Sequence, residues 1–317
     1  MVDYFPPLLH RHTHFSTIIP NQLRFNPRVN YVRQTIQTPD LDFLDLDIAS
    51  VSSPNCILLL HGLEGSSQSA YIRGMTFHLN QARFDVVVLN FRSCSGRKNN
   101  LPISYHSGKT DDVELVCYHL IKQYQSLQII GFSLGANVLL KMAGEWGNKP
   151  PANIKSIVAV SVPCDLASSA EKLKQFQNRI YLWRFLSQLK AKAEQKASQF
   201  PESNIDQKAL KKTRNFEEFD EVYTAPVHDF DSANDYYSKS SSKQFIESIN
   251  LPTLIINAKN DSFLTPECNP IEEARSNPFI ELWLPTFGGH VGFAADFLMK
   301  KPFWHEAHII PYLINQL

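Results

Sequence analysis

At 317 residues, 43% of them hydrophobic, the chain is long enough for one large mixed domain or two smaller ones and can bury a sizeable core. Its 31 Lys and Arg balance 31 Asp and Glu, so no net field draws it to nucleic acid or to an anionic membrane. The 5 cysteines are odd in number and form no CxxC pair, which argues against a disulfide framework or a zinc site and suits a reducing cytoplasm.

Residues 1–15 have neither a long apolar run nor a small-residue cleavage site, and no window reaches the roughly 18 apolar residues of a membrane span. The expectation is a soluble, cytoplasmic chain. His10, His12 and His14 alternate, but without a carboxylate or cysteine partner nearby no metal is expected there. Residues 38–47 alternate apolar and acidic side chains and predict a half-exposed antiparallel edge strand. The first strongly apolar strand, 56–60, runs into His61-Gly62-Leu63-Glu64-Gly65-Ser66-Ser67. A strand ending in His-Gly-x-x-Gly suits a loop that approaches a substrate closely, with the Leu63 N–H as an oxyanion donor and His61 shaping the loop. Strand 86–90 follows. The loop after it carries Arg92, expected to brace the oxyanion loop, and Cys94, beside which no base is evident. Asp111 and Asp112 read as charges at a helix N-terminus.

Strand 127–130 leads into Gly131-Phe132-Ser133-Leu134-Gly135 and then a helical pattern at 136–145, with Val138, Leu139, Met142 and Ala143 on one face. A serine hydroxyl becomes a useful nucleophile only when it is aimed away from the backbone and held near a base. A tight strand-to-helix turn does this with strained φ/ψ, and glycines at 131 and 135 remove the Cβ atoms that would collide. Ser133 is the candidate nucleophile, and the Leu134 N–H is the second oxyanion donor.

After strand 156–160 the rhythm changes. Residues 163–250 are helical in pattern, rich in Lys, Gln, Ser and aromatics, and show no strand. They read as a helical cap inserted between core strands of a single domain, with Trp183 and Phe185 expected to contact an acyl chain. Strand 253–256 follows, then Asn257-Ala258-Lys259-Asn260-Asp261-Ser262-Phe263. Strand 279–284 leads to Gly288-Gly289-His290-Val291-Gly292-Phe293 and an apolar helix expected over 294–299. A strand-to-helix nucleophile turn goes with the chain order serine, acid, histidine, which selects Asp261 and His290. Asp165, just after strand 156–160, is the competing acid, and His305 and His308 are less well placed. Apolar strands alternating with helices predict an α/β fold whose mostly parallel sheet is covered on both faces. No nucleotide loop or HExxH pattern is present, so no cofactor or metal is expected.

These strings together resemble the YheT family of α/β-hydrolases, which groups bacterial hydrolases with yeast medium-chain ethyl ester synthase/esterases and animal membrane lipases. The resemblance runs over nearly the whole chain. It includes residues 14–18, 42–47, 61–67, 90–96, 104–108, 131–141, 235–237 and 288–293. It implies a triad of Ser133, Asp261 and His290 acting on small-molecule esters, with short to medium acyl chains preferred. Departures are Ala136 and Ser93, where the family usually has glycine, and Arg97, where it tends to have an acid and which could change pocket charge. A thioesterase or alcohol acyltransferase would use the same residues, and a binding protein on the same scaffold would be expected to lack one of them.

Overall fold

The computed structural model describes residues 4–24, 27–203 and 205–317. Eight strands form one sheet in the order β1-β2-β4-β3-β5-β6-β7-β8. The apolar runs become β3 (Asn55–Leu60), β4 (Asp85–Asn90), β5 (Ser126–Phe132), β6 (Ile154–Val160), β7 (Thr253–Ile256) and β8 (Ile280–Trp283), all mutually parallel. Alternate residues of each strand feed opposite layers. In β3, Leu58 and Leu60 pack with α3 (Asp111–Leu120) and α4 (Leu134–Trp146), while Ile57 and Leu59 pack with α2 (Ala70–Gln81) and the C-terminal helix Trp304–Asn315. Both faces are therefore covered, which is why these strands read as continuous apolar runs.

The start of the sheet differs from expectation. Residues 38–42 make a turn, and the strand is β2 (Phe43–Ala49), antiparallel to β4. It is not an edge. A polar strand, β1 (Val32–Gln37), covers it, so Asp45 and Asp47 are only 1% and 3% exposed. Their charges are met there. Arg33 donates to Asp47 at 2.7 and 2.8 Å, and Arg97 donates to Asp45 at 2.8 Å. Arg97 therefore serves the β1–β2 hairpin and does not line the cavity described below.

Between β6 and β7 the described chain is helical, with α5 (Leu166–Lys174) and α6 (Arg179–Gln199) the first long elements. It has a small core of its own, in which Leu166, Leu173, Tyr181, Phe216 and Tyr237 meet Phe263 from the β7–α loop. α4 was expected to show one apolar face, yet it is buried from Leu134 to Gly144 because the turn Ser242–Ser248 packs on its outer side. Asn137 fixes that contact. Its amide donates to the Ser107 and Ser240 carbonyls at 2.8 Å, and its oxygen accepts from the Ser242 N–H at 3.0 Å. Among the described residues, no helix is long and apolar enough to cross a membrane.

Candidate active site

β5 ends at Phe132, and Ser133 turns the chain into α4 at φ 52°, ψ −117°. That conformation costs about 1–3 kcal/mol for a non-glycine residue and persists only where its surroundings enforce it. The surroundings are tight. A Cβ on Gly131 would stand 2.6 Å from the Gly135 carbonyl, and one on Gly135 would stand 2.6 Å from the His61 carbonyl. The turn thus needs glycine at both positions, and it lifts the Ser133 hydroxyl off the sheet.

His290 meets it from the loop after β8. Its Nε2 lies 2.8 Å from Ser133 Oγ, and its Nδ1 lies 2.9 and 3.1 Å from the two oxygens of Asp261. The Asp261 carboxylate also accepts the Phe263 N–H at 2.8 Å, and the Phe263 ring lies 4.2 Å from the imidazole, centroid to centroid. The three side chains selected by chain order are therefore brought together. Asp165 is not with them: it caps α5, accepting the Ser168 N–H at 2.9 Å.

Leu63 and Leu134 line the same cavity as Ser133 and His290. In the turn after β3, the Gly62 N–H donates to Tyr71 Oη at 2.8 Å and the Glu64 N–H to Tyr105 Oη at 2.8 Å. The Leu63 N–H between them has no acceptor among the described residues, and neither has the Leu134 N–H. Two unspent donors beside a serine hydroxyl so placed are what a developing oxyanion would require. Glu64 sits in the left-handed region at φ 55°. It is held there from both sides, because Tyr105 donates to its carboxylate at 2.7 Å while Lys192 of α6 approaches at 2.9 Å.

His61 is wholly buried at the base of this turn. Its Nδ1 lies 2.8 Å from the Gly62 carbonyl, and its Nε2 accepts the Phe91 N–H at 3.1 Å. Those partners fix the proton on Nδ1, and burial pushes the pKa down to about 4. The ring is structural. Arg92 was expected to brace the oxyanion loop, but among the described residues its bonds go elsewhere: a pair of 2.7 and 2.8 Å to Asp112 and one of 3.2 Å to Asp42, so Asp112 is an ion-pair partner as well as a charge at the start of α3. Cys94 is buried and its thiol pushed up to about 11, chiefly by desolvation, although Lys192 lies 3.2 Å away.

Several positioning residues were not singled out from the sequence. Helix α1 (Thr13–Leu23) packs on the His290 loop, where Thr17 Oγ1 accepts the His290 N–H at 3.0 Å. Ser161 Oγ accepts the Val291 N–H at 3.0 Å. A signal existed for α1 and for Tyr105, since both fall in strings that carried the family resemblance. The helix expected over 294–299 is absent; the chain stays irregular until the C-terminal helix begins at Trp304.

The cavity holds about 390 Å³, within the range of small-molecule sites. Leu166, Leu173, Tyr181, Phe185 and Leu189 of the helical insertion form much of its apolar wall. Trp183 does not line it; the indole is 73% exposed on the outer side of α6. Among the described residues no cluster of His, Cys, Asp and Glu has a metal-binding arrangement, and the three early histidines do not converge.

The family model of the alpha/beta hydrolase fold matches residues 55–291. The Escherichia coli (strain K12) protein YheT is 32% identical over 99% of this chain and 94% of its own length. Phospholipase ABHD3 of Bos taurus is 28% identical over 92% of this chain and 73% of its own. Medium-chain fatty acid ethyl ester synthase/esterase 2 of Saccharomyces cerevisiae is 30% identical over 85% of this chain and 63% of its own. Among solved structures, the Pyrococcus furiosus esterase Pf2001 superposes with a TM-score of 0.61 over 92% of this chain and 98% of that one, at 17% identity, a likeness of fold alone. The chain belongs to the α/β-hydrolase fold family and, within it, to the group that contains YheT.

Proposed function

We propose that the chain is a serine esterase that cleaves carboxylic esters through an acyl-enzyme on Ser133. The observation that carries this reading is the placement of His290, 2.8 Å from Ser133 and 2.9 Å from Asp261, beside two backbone donors that have no acceptor among the described residues. His290 takes the Ser133 proton as the hydroxyl attacks the ester carbonyl. The Leu63 and Leu134 N–H groups hold the tetrahedral oxyanion, and His290 returns the proton to the departing alcohol. Water activated by the same imidazole then releases the acid. Asp261 keeps the proton of the neutral ring on Nδ1 and stabilises the imidazolium. Relatives named as ester-cleaving enzymes support the reaction class.

The insertion 163–250 acts in this reading as a cap, and its apolar wall receives the acyl chain. Each methylene buried there adds at most about 0.8 kcal/mol, close to fourfold in kcat/KM. Preference therefore rises with chain length and stops where the cavity ends, and the resemblance to medium-chain ester synthase/esterases supports short to medium acyl groups as the range. Fluorophosphonate labelling with a chain-length panel of nitrophenyl esters tests both parts. Wild type is labelled; Ser133→Ala is not, and its kcat falls by about 10⁴-fold or more with the fold intact. A folded Ser133→Ala protein with undiminished esterase activity removes the proposal.

A further inference from the structure

Among the described residues, four line the cavity and are also exposed: Ile18 and Gln22 of α1, and Arg184 and Gln188 of α6. They mark its mouth. Around the mouth the surface is unusually apolar. Phe15 and Ile18 stand out from α1, and Ile180 and Trp183 from α6, the last two more than 70% exposed. The two helices meet through His14 Nδ1 and Tyr181 Oη, 3.2 Å apart, which sets the exposed segments of α1 and α6 side by side at the rim of the mouth. Phe176 extends it, 81% exposed, with the Arg179 guanidinium 5.7 Å above its ring.

Charge is distributed just as unevenly. The chain carries 31 carboxylates, yet residues 4–24 and 172–193, the two segments that build the rim, contain none. They do contain Arg11, Arg179 and Arg184, none of which forms an ion pair among the described residues. Lys174 at the margin is already paired with Glu171 and Glu217. The zero net charge of the whole molecule hides this basic, aromatic rim.

We propose that the rim of the cavity mouth is a docking surface for an anionic lipid bilayer. Trp, Phe and Ile enter the boundary between headgroups and acyl chains, and the unpaired arginines meet the negative headgroups. Both contributions are weak alone, and binding of this type needs the two together. Docked in this way, the mouth opens toward the layer in which acyl esters partition.

Co-sedimentation with vesicles of phosphatidylcholine, alone or mixed with phosphatidylglycerol, reads the surface directly. Wild type and Ser133→Ala pellet with the anionic vesicles, weakly with the neutral ones, and less as salt rises. Because Ser133→Ala binds without turnover, failure here is separable from failure of the esterase reading. Ile180→Ser/Trp183→Ser lowers anionic-vesicle affinity by about tenfold or more. Its turnover of a water-soluble ester stays at the wild-type rate, since neither side chain lines the cavity. Trp183 is the exposed indole, so vesicles shift the emission to the blue, and Trp183→Phe loses that shift while still pelleting. Wild type left in the supernatant with both vesicles overturns the proposal, as does a double variant that pellets like wild type. A patch that instead joins two copies in solution, dissolved by the same double substitution and indifferent to vesicles, also overturns it.

Discussion

The imidazole of His290 is held at every edge. Asp261 binds Nδ1, Thr17 binds the backbone N–H, Phe263 lies against one face, and Ser133 takes Nε2. Asp261→Asn keeps most of this packing but no longer fixes the tautomer, so kcat falls by about 10³–10⁴. Asp165→Asn disturbs a helix cap and costs about 1 kcal/mol of stability or less, with kcat nearly unchanged. Steady-state kinetics with thermal melts on both variants decide the matter, and reversed results would make Asp165 the acid. Glu64 is the second residue whose geometry is enforced. Tyr105 binds its N–H and its carboxylate, and removing that hydroxyl frees a left-handed residue next to the Leu63 donor. Tyr105→Phe therefore lowers kcat by about tenfold with KM little changed, as expected for a contact used only in the transition state. A raised KM with kcat intact would instead place Tyr105 in substrate binding.

Among the elements, α6 divides its labour by face. Phe185 points into the cavity and Trp183 points away from it, two residues apart in sequence. In a nitrophenyl ester series, Phe185→Ala moves the chain-length optimum upward, while Trp183→Ala leaves it in place. An unmoved optimum in both would make the α6 wall packing alone. Aromatic density in the sequence marked this helix but not its faces, because its polar side chains snorkel past the ring surfaces and blur the period. The six parallel strands were legible because burial on both faces keeps most positions of β3 to β7 apolar, and the edge strand β8 still carries Ile280, Leu282 and Trp283. β1 was not, since five of its six residues stay at least partly exposed. β2 misled in the opposite sense: alternating acids read as a solvated face, and arginines from β1 and from the loop after β4 bury them in pairs. The candidate triad, whose three side chains the fold brings within hydrogen-bond distance, was legible from strand order and glycine spacing. Thr17 and Ser161 were not, because each acts on a backbone N–H far away in the chain, 273 and 130 residues respectively.

For the molecule as a whole, buried imidazoles set the acid limit of stability. His61 and His305 are both wholly buried, and desolvation lowers each from 6.5 to about 4. At His305, Glu306 favours the charged ring while Arg24 and His78 oppose it. His106 and His228, whose rings lie 4.5 Å apart, are lowered for the same first reason. Because these folded pKa values lie below the unfolded one, the unfolded chain binds more protons between them. Their stabilisation is complete above pH 6.5 and is lost as pH falls toward 4. Asp220 works the other way. It is buried with Thr224 and Tyr237 and raised from 3.8 to about 6, so its contribution grows as pH falls through that window. A shift of either size is worth about 3 kcal/mol at most, and several imidazoles oppose one carboxyl. The net direction between about pH 7 and about pH 5 is therefore a loss of stability. Urea unfolding at about pH 7 and about pH 5 should show a marked fall in midpoint with little change in slope. His305 offers the cleanest check, since neither ring nitrogen has a partner among the described residues and Phe132, Phe293 and Phe303 surround it. His305→Leu removes one protonation site without stranding a hydrogen bond, so its midpoint should fall less between the two pH values than that of wild type. An equal fall in both proteins would move the acid sensitivity away from His305 and onto the remaining histidines.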